Sequence, residues 1–222
     1  MNKNISKSFI FVLALMVVIG LFLAVPAHAL DFDFSGNFRA DNDVVIFNFT
    51  VGVDSTVTVF SSSWLEGDPP YGFDPMLGIW TSSGSLIAFQ DDGSNVGTTL
   101  SNGVPYDHGT WDSFFDVFLT VGDYKASITQ YDNFNVSSLL SDGFTYDGNP
   151  NFTFDNGYGG ATQPFFNGVW DTNDPRTGNW EFHLLNVEEA NVIPRNPVPE
   201  PSTLLLLGSA LVGLSVLRRK VK

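Results

Sequence analysis

Apolar and polar residues alternate in short runs along most of the chain, and Gly, Asp, Asn and Pro separate the runs. That is the period of half-buried strands, and almost nothing between residues 30 and 196 carries a helical period. In the run 44–51, Val45, Phe47, Phe49 and Val51 share one face and Asn48 and Thr50 the other. In 55–61, Val57 and Val59 alternate with Thr56 and Thr58. The same reading predicts strands over 34–39, 76–81, 85–90, 114–121 and 124–130, with 180–187 as the final strand. Gly122-Asp123 reads as the turn joining 114–121 to 124–130 in a hairpin. Gly67-Asp68-Pro69-Pro70 marks a loop and Ser83-Gly84 a turn.

From 131 to 178 the alternation weakens. Asp147-Gly148-Asn149-Pro150 and Asn156-Gly157-Tyr158-Gly159-Gly160 are turn signals around short aromatic stretches such as 152–154. This segment reads either as a long, loop-rich excursion or as two short edge strands. Gly109-Thr110-Trp111-Asp112 and Gly168-Val169-Trp170-Asp171 share the pattern G-x-W-D, which two copies make a shared turn rather than a repeat architecture. Evenly spaced short strands with turn-rich connections predict an all-β fold: a single antiparallel β-sandwich, compatible with a jelly-roll-like order.

The two ends follow different rules. Lys3 and Lys7 precede an apolar stretch, 9–25, which ends at Pro26-Ala27-His28-Ala29. A positive region, a hydrophobic region and small residues at Ala27 and Ala29 form a secretory signal, with cleavage after Ala29 predicted to leave Leu30 first. The competing reading, an uncleaved anchor, rests on the length of the apolar run. At the other end, Pro199-Glu200-Pro201 is followed by an apolar run, 204–217, and then by Arg218, Arg219, Lys220 and Lys222. As a helix, 203–217 would rise about 22 Å against a hydrocarbon core of about 30 Å. So short a segment suits a temporary anchor better than a permanent one. The positive-inside rule sets its cations in the cytoplasm and the body across the membrane. The predicted layout is a signal over 1–29, an exported body over 30–190, a Pro-rich linker over 191–198 and a sorting segment over 199–222.

Val198-Pro199-Glu200-Pro201-Ser202-Thr203, the Leu-rich run and Arg218-Arg219 together resemble the PEP-CTERM sorting domain of Gram-negative bacteria. Lys220-Val221-Lys222 lengthens the basic tail beyond that pattern. The resemblance implies recognition near Pro-Glu-Pro by an exosortase, a membrane-embedded cysteine protease. It also implies release or attachment at the cell surface, often in bacteria that make exopolysaccharide. The body resembles uncharacterised domains of PEP-CTERM proteins and, in layout, bacterial pre-peptidase C-terminal domains. The residues that carry this are Asp43 through Val51, Asp74-Pro75-Met76-Leu77-Gly78-Ile79-Trp80, Asp91-Asp92-Gly93 and the stretch from Leu119 to Ile128. It implies a small accessory sandwich with, in some relatives, calcium-stabilised loops.

Charge sharpens the picture of the body. Without the two end segments it keeps four cations, Arg39, Lys125, Arg176 and Arg195, against 23 carboxylates, a net charge of −19. Such a field repels nucleic acid and anionic membranes and favours divalent cations. There is no cysteine, so neither a disulfide frame nor a thiol nucleophile exists; stability must come from packing, and the chain's 21 Phe, 5 Trp and 6 Tyr can supply it. Oxygen-rich loops at Asp41-Asn42-Asp43, Asp91-Asp92-Gly93 and Asp171-Thr172-Asn173-Asp174 are of the kind Ca²⁺ uses, although none has EF-hand spacing. The candidate ligands are Asp41, Asp43, Asp91, Asp92, Asp171 and Asp174. Only His108 and His183 remain in the body, without a zinc motif.

No nucleophile elbow, phosphate loop or dinucleotide motif is present. Glu66, Glu181 and His108 are the strongest single acid–base candidates, each more simply read as a loop or surface group. Trp64, Trp111 and Trp170, beside loops and acids, are candidate sugar platforms, set against the core role that aromatic rings usually take. These features predict an exported, non-enzymatic protein of the cell surface or extracellular polysaccharide matrix. The Sec translocon and signal peptidase would handle it first, then an exosortase, with exopolysaccharide a candidate partner and nucleic acid none. A calcium- or carbohydrate-binding module is the first alternative and a secreted hydrolase the second.

Overall fold

The computed structural model of the chain describes residues 29–64, 72–158, 166 and 176–193. The alternating runs form strands almost where their periods place them. The chain builds β1 (Leu30–Asn37), β2 (Val45–Val51), β3 (Ser55–Ser61), β4 (Pro75–Thr81) and β5 (Leu86–Gln90). It continues with β6 (Gly97–Ser101), β7 (Val104–His108), β8 (Phe114–Leu119), β9 (Gly122–Gln130), β10 (Asn179–Val187) and β11 (Glu189–Ile193). Every strand pairing is antiparallel. A four-stranded sheet has the order β1-β10-β3-β8, a five-stranded sheet β11-β2-β9-β4-β5, and β6-β7 stand apart as a ribbon.

The two larger sheets turn their apolar faces on one another. Phe47 of β2 stacks on Phe182 of β10 at 4.4 Å between centroids and meets the edge of Trp180 at 5.9 Å. Phe49, Val51, Val57, Val59, Leu77, Ile79, Ala126, Ile128 and Leu184 fill the same buried layer. This is the face that alternation assigned to β2 and β3. A buried ring of this size removes about 150–250 Å² from water, so the aromatic layer dominates the stability of a body without disulfides.

Three expectations are corrected. Residues 114–121 and 124–130 do not pair as a hairpin: β8 lies at the edge of the four-stranded sheet, and β9 lies between β2 and β4 in the other. The two-residue link at Thr120 and Val121 therefore arches between layers, pinned by Val121 N–H donating to Asp54 Oδ1 (2.8 Å). Residues 126–130 are buried on both faces, which demands a central position for β9. β10 is not the last strand either: Glu189–Ile193 turns back and pairs with β2, Ile193 opposite Ile46, so strand structure extends three residues into the expected linker. Last, β6 and β7 were not anticipated. Their turn is Asn102-Gly103, both with positive φ (51° and 77°), the geometry of a tight two-residue hairpin.

The excursion is loop-rich as expected. Between 131 and 158 it contains a 3₁₀ turn (Leu140–Asp142), a single helical turn α1 (Phe152–Asp155) and the isolated bridges Ser85–Leu139 and Asn135–Phe144.

Candidate functional site

Pairing β4 with β5 brings the residue before β4, Asp74, to the two residues after β5, Asp91 and Asp92. One carboxylate oxygen from each lies within 4.8 Å of the other two. Asp74 is 3% exposed, and Tyr131 N–H donates to its carbonyl at 2.8 Å. Local chemistry fixes the other two. Gln90 Nε2 donates to the Asp92 carbonyl, and the buried Ser113 hydroxyl lies 2.7–3.0 Å from the carbonyls of Pro75, Gln90 and Asp91. Gly93 completes the motif for a steric reason: a Cβ there would sit 2.4 Å from the carbonyl oxygen of Asp112.

The backbone is tied, but two of the carboxylates keep an unmet oxygen. Oδ1 of Asp91 and Oδ1 of Asp92 are buried and accept no hydrogen bond. Burial pushes the Asp91 carboxyl up to about 6, helped by the charges of Asp92 and Asp132, and burial raises Asp92 as well. Orphaned buried carboxylate oxygens carry a desolvation penalty that a proton, a cation or a bound water relieves. An all-oxygen donor set converging within coordination distance fits a hard divalent cation such as Ca²⁺. Asp91 and Asp92 were legible as candidates; Asp74 was not, because only sheet pairing brings it there.

The other predicted ligands are used by the fold itself or lie elsewhere. The buried Asp41 carboxylate accepts from Thr153 Oγ1, and its carbonyl accepts from Gln130 Nε2 at 2.9 Å. Asp43 Oδ2 accepts from Arg39 N–H at 2.6 Å. Trp64 is 9% exposed, with the Arg176 guanidinium 3.3 Å above its ring and Trp111 at 6.0 Å. Its face is therefore covered, whereas Trp111 is 37% exposed. Ala29 is the first described residue. Ala27, Glu66, Trp170, Asp171, Asp174, the sorting residues Pro199, Glu200 and Pro201, and the basic Arg218, Arg219 and Lys220 lie outside the described residues.

A second constellation was invisible in the sequence. On the outer face of the four-stranded sheet, His183 Nδ1 is 2.7 Å from Asp33 Oδ1 and its Nε2 is 2.9 Å from Ser62 Oγ. These are the spacings of a nucleophile, base and orienting acid. The surroundings argue against acyl transfer. Ser62 Oγ–H donates to Glu181 Oε2 at 2.7 Å, so the hydroxyl proton is directed to a carboxylate rather than to the His183 ring. The next two backbone N–H groups, of Ser63 and Trp64, both donate to Asp112 (2.7 and 3.0 Å). Acyl transfer needs such donors free and aimed at the reacting oxygen.

Asp112 belongs to the first G-x-W-D. Its Oδ1 accepts from Ser61 Oγ, Ser63 N–H and Trp64 N–H, and its Oδ2 from Gly109 N–H at 3.0 Å. The pattern is thus a turn that ties two loops, as expected for this copy.

Comparison with known proteins adds one finding. The profile of the PEP-CTERM protein-sorting motif matches residues 197–220. That motif marks a secreted or surface protein that is exported and processed by an exosortase at the membrane. No curated protein matches the chain.

Proposed function

We propose that this chain is an exported surface or extracellular-matrix component, retained briefly by its tail and cut near Pro199-Glu200-Pro201, whose β-sandwich body acts by binding rather than by turnover. The match to the sorting motif over 197–220 carries this reading. Two features support it. β1 begins at Leu30, the residue that cleavage after Ala29 would leave first. β11 ends at Ile193, so a tether of at most about 20 Å joins the folded body to Pro199, which keeps the body beside the membrane until cleavage. Replacing Pro199-Glu200-Pro201 by Ala is expected to leave a full-length species in the membrane fraction. Unchanged processing would overturn the assignment.

The orphaned oxygens of Asp91 and Asp92 beside Asp74 favour a second, compatible reading, in which the body is a calcium-binding module. Calcium would neutralise the cluster and tie the start of β4 to the end of β5, stabilising the five-stranded sheet at its edge. Among the described aromatic side chains Phe118, Phe154 and Trp111 are the exposed ones, so polysaccharide contact would fall to these rings and to polar groups.

A further inference from the structure

The sequence holds three histidines, one of them in the predicted signal, and the other two flank Phe60 where one hairpin meets the sheet. The β6–β7 hairpin lies across the outer face of the four-stranded sheet. Tyr106 of β7 packs on His183 at 4.2 Å, and Asn102 at the hairpin tip bonds Asp31 and Asp33 of β1. His108, the last residue of β7, sits against Phe60 at 5.5 Å and Phe114 at 4.9 Å, while His183 stacks on Phe60 at 4.3 Å. Both imidazoles are almost fully buried, at 2% and 1% exposure. Phe60 thus lies between two groups that can each gain a positive charge.

Their surroundings differ. His183 faces Asp33 and, through Ser62, Glu181. A second proton on its ring completes that chain, with Nε2–H donating to Ser62 and Ser62 donating to Glu181. His108 has Thr99 Oγ1 at 2.9 Å from its Nε2, two phenyl rings, and no carboxylate within ion-pair distance among the described residues. Asp107 is its neighbour in β7, but that side chain accepts from Thr98. Tyr106 is the remaining titratable group of the hairpin here, and burial raises it further out of range. The sheet side can hold a proton; the hairpin side cannot.

We propose that the β6–β7 hairpin is an acid-released flap, closed over the sheet while His108 is neutral and lifted when that ring becomes charged. Burial holds both histidines below the ordinary imidazole value of 6.5, and the opposing pulls of the Asn95 backbone and Asp107 on His108, and of Asp33 and Glu181 on His183, do not reverse this. A depressed folded value means that the neutral form's contribution is intact above 6.5 and is lost as pH falls through the folded value. Charge on His108 in turn lowers His183, so the two rings oppose each other's protonation across Phe60.

The test is amide hydrogen exchange on the full chain in detergent at pH 7.5 and 5.0, with rates normalised to intrinsic exchange. Protection across residues 97–108 should fall at least about tenfold at pH 5.0 while β2 and β9 hold theirs. His108→Phe, which keeps a ring and removes the charge, should retain hairpin protection at pH 5.0. Unchanged protection in the wild type, or the same loss in His108→Phe, overturns the proposal. Should that variant fold poorly, the His108 ring proton shift in the wild type decides. Titration of His108 with the hairpin still protected, or opening without its titration, is equally fatal.

Discussion

Two acidic sites lie back to back across Gly93, and they use the same residue type in opposite ways. Asp112 is fully buried and receives four donors from the chain itself. Asp91 and Asp92, a few ångströms away through Ser113, each leave a buried oxygen with none. Yet burial pushes Asp91 and Asp112 to the same value, about 6. The shift reports desolvation and cannot separate structure from function. The count of donors can: Asp112 is a tie whose partners are already present, and Asp91 and Asp92 each keep a buried oxygen open to a proton, a water or a cation from solution.

The sharpest way to break the comparison is to remove the tie. Asp112→Ala leaves the N–H groups of Ser63, Trp64 and Gly109 without acceptors in a buried loop. Leaving several buried donors unmet is expected to lower stability by about 3–5 kcal/mol. Urea denaturation with and without calcium should show the same loss. A loss that calcium restores would mean that Asp112 belongs to the cation site. The next effect in size is ligation. Millimolar Ca²⁺ should raise the melting temperature of the wild type, by the equivalent of about 2.7 kcal/mol at a hundredfold excess over Kd. In Asp91→Asn that rise should vanish, while the calcium-free protein melts no lower than wild type because carboxylate repulsion is relieved. A calcium-insensitive wild type would sink the cation reading and leave the sorting assignment untouched.

The same contrast explains what the sequence made legible. Alternation located β2 and β3 because their core faces are contiguous runs, such as Val57 and Val59 between threonines. Asp91-Asp92-Gly93 was readable as an oxygen-rich turn. Asp74 was not, since its place depends on which strands pair, and pairing is not a local property. Gly122-Asp123 looked like a hairpin turn for the same reason: whether a short link turns or arches depends on which layer each flanking strand must cover. The Asn102-Gly103 turn did carry a local signal, but β6 is polar and largely exposed, so its flanks gave no apolar period to notice. β11 is largely exposed and runs directly into prolines, so Glu189–Ile193 has the composition of a linker although it pairs as a strand. The Asp33–Ser62–His183 alignment joins β1, the residue after β3 and β10, far apart in the chain, and has no motif.

Acid titration separates the two sites by a smaller margin. A carboxyl whose folded value is raised to about 6 binds its proton more tightly when folded, so its contribution to stability is fully present below 3.8 and is lost as pH rises through 6. Calcium-free protein should therefore gain stability from this source as pH falls from 7 toward 4, while the histidines act in the opposite sense. The difference between wild type and Asp112→Asn isolates the Asp112 share, seen as a smaller gain, or a larger loss, on acidification in the variant's urea midpoints. A profile of unchanged slope would show that Asp112 does not titrate in this range.

The smallest expected effect is the most discriminating about where calcium binds. Asp43 holds a single turn through the Arg39 N–H, and an asparagine oxygen can accept the same bond. Asp43→Asn should therefore change stability by only a few tenths of a kcal/mol, as a side-chain cap exchanged for a near equivalent does. Its calcium-dependent rise in melting temperature should equal that of wild type. Should Asp43→Asn abolish the rise while Asp91→Asn preserves it, the acidic turn at Asp41-Asn42-Asp43 would be the cation site. The donor count at Asp91 and Asp92 would then have misled for a physical reason: two unmet oxygens can be satisfied by sharing a proton, and a value near 6 already brings that proton close.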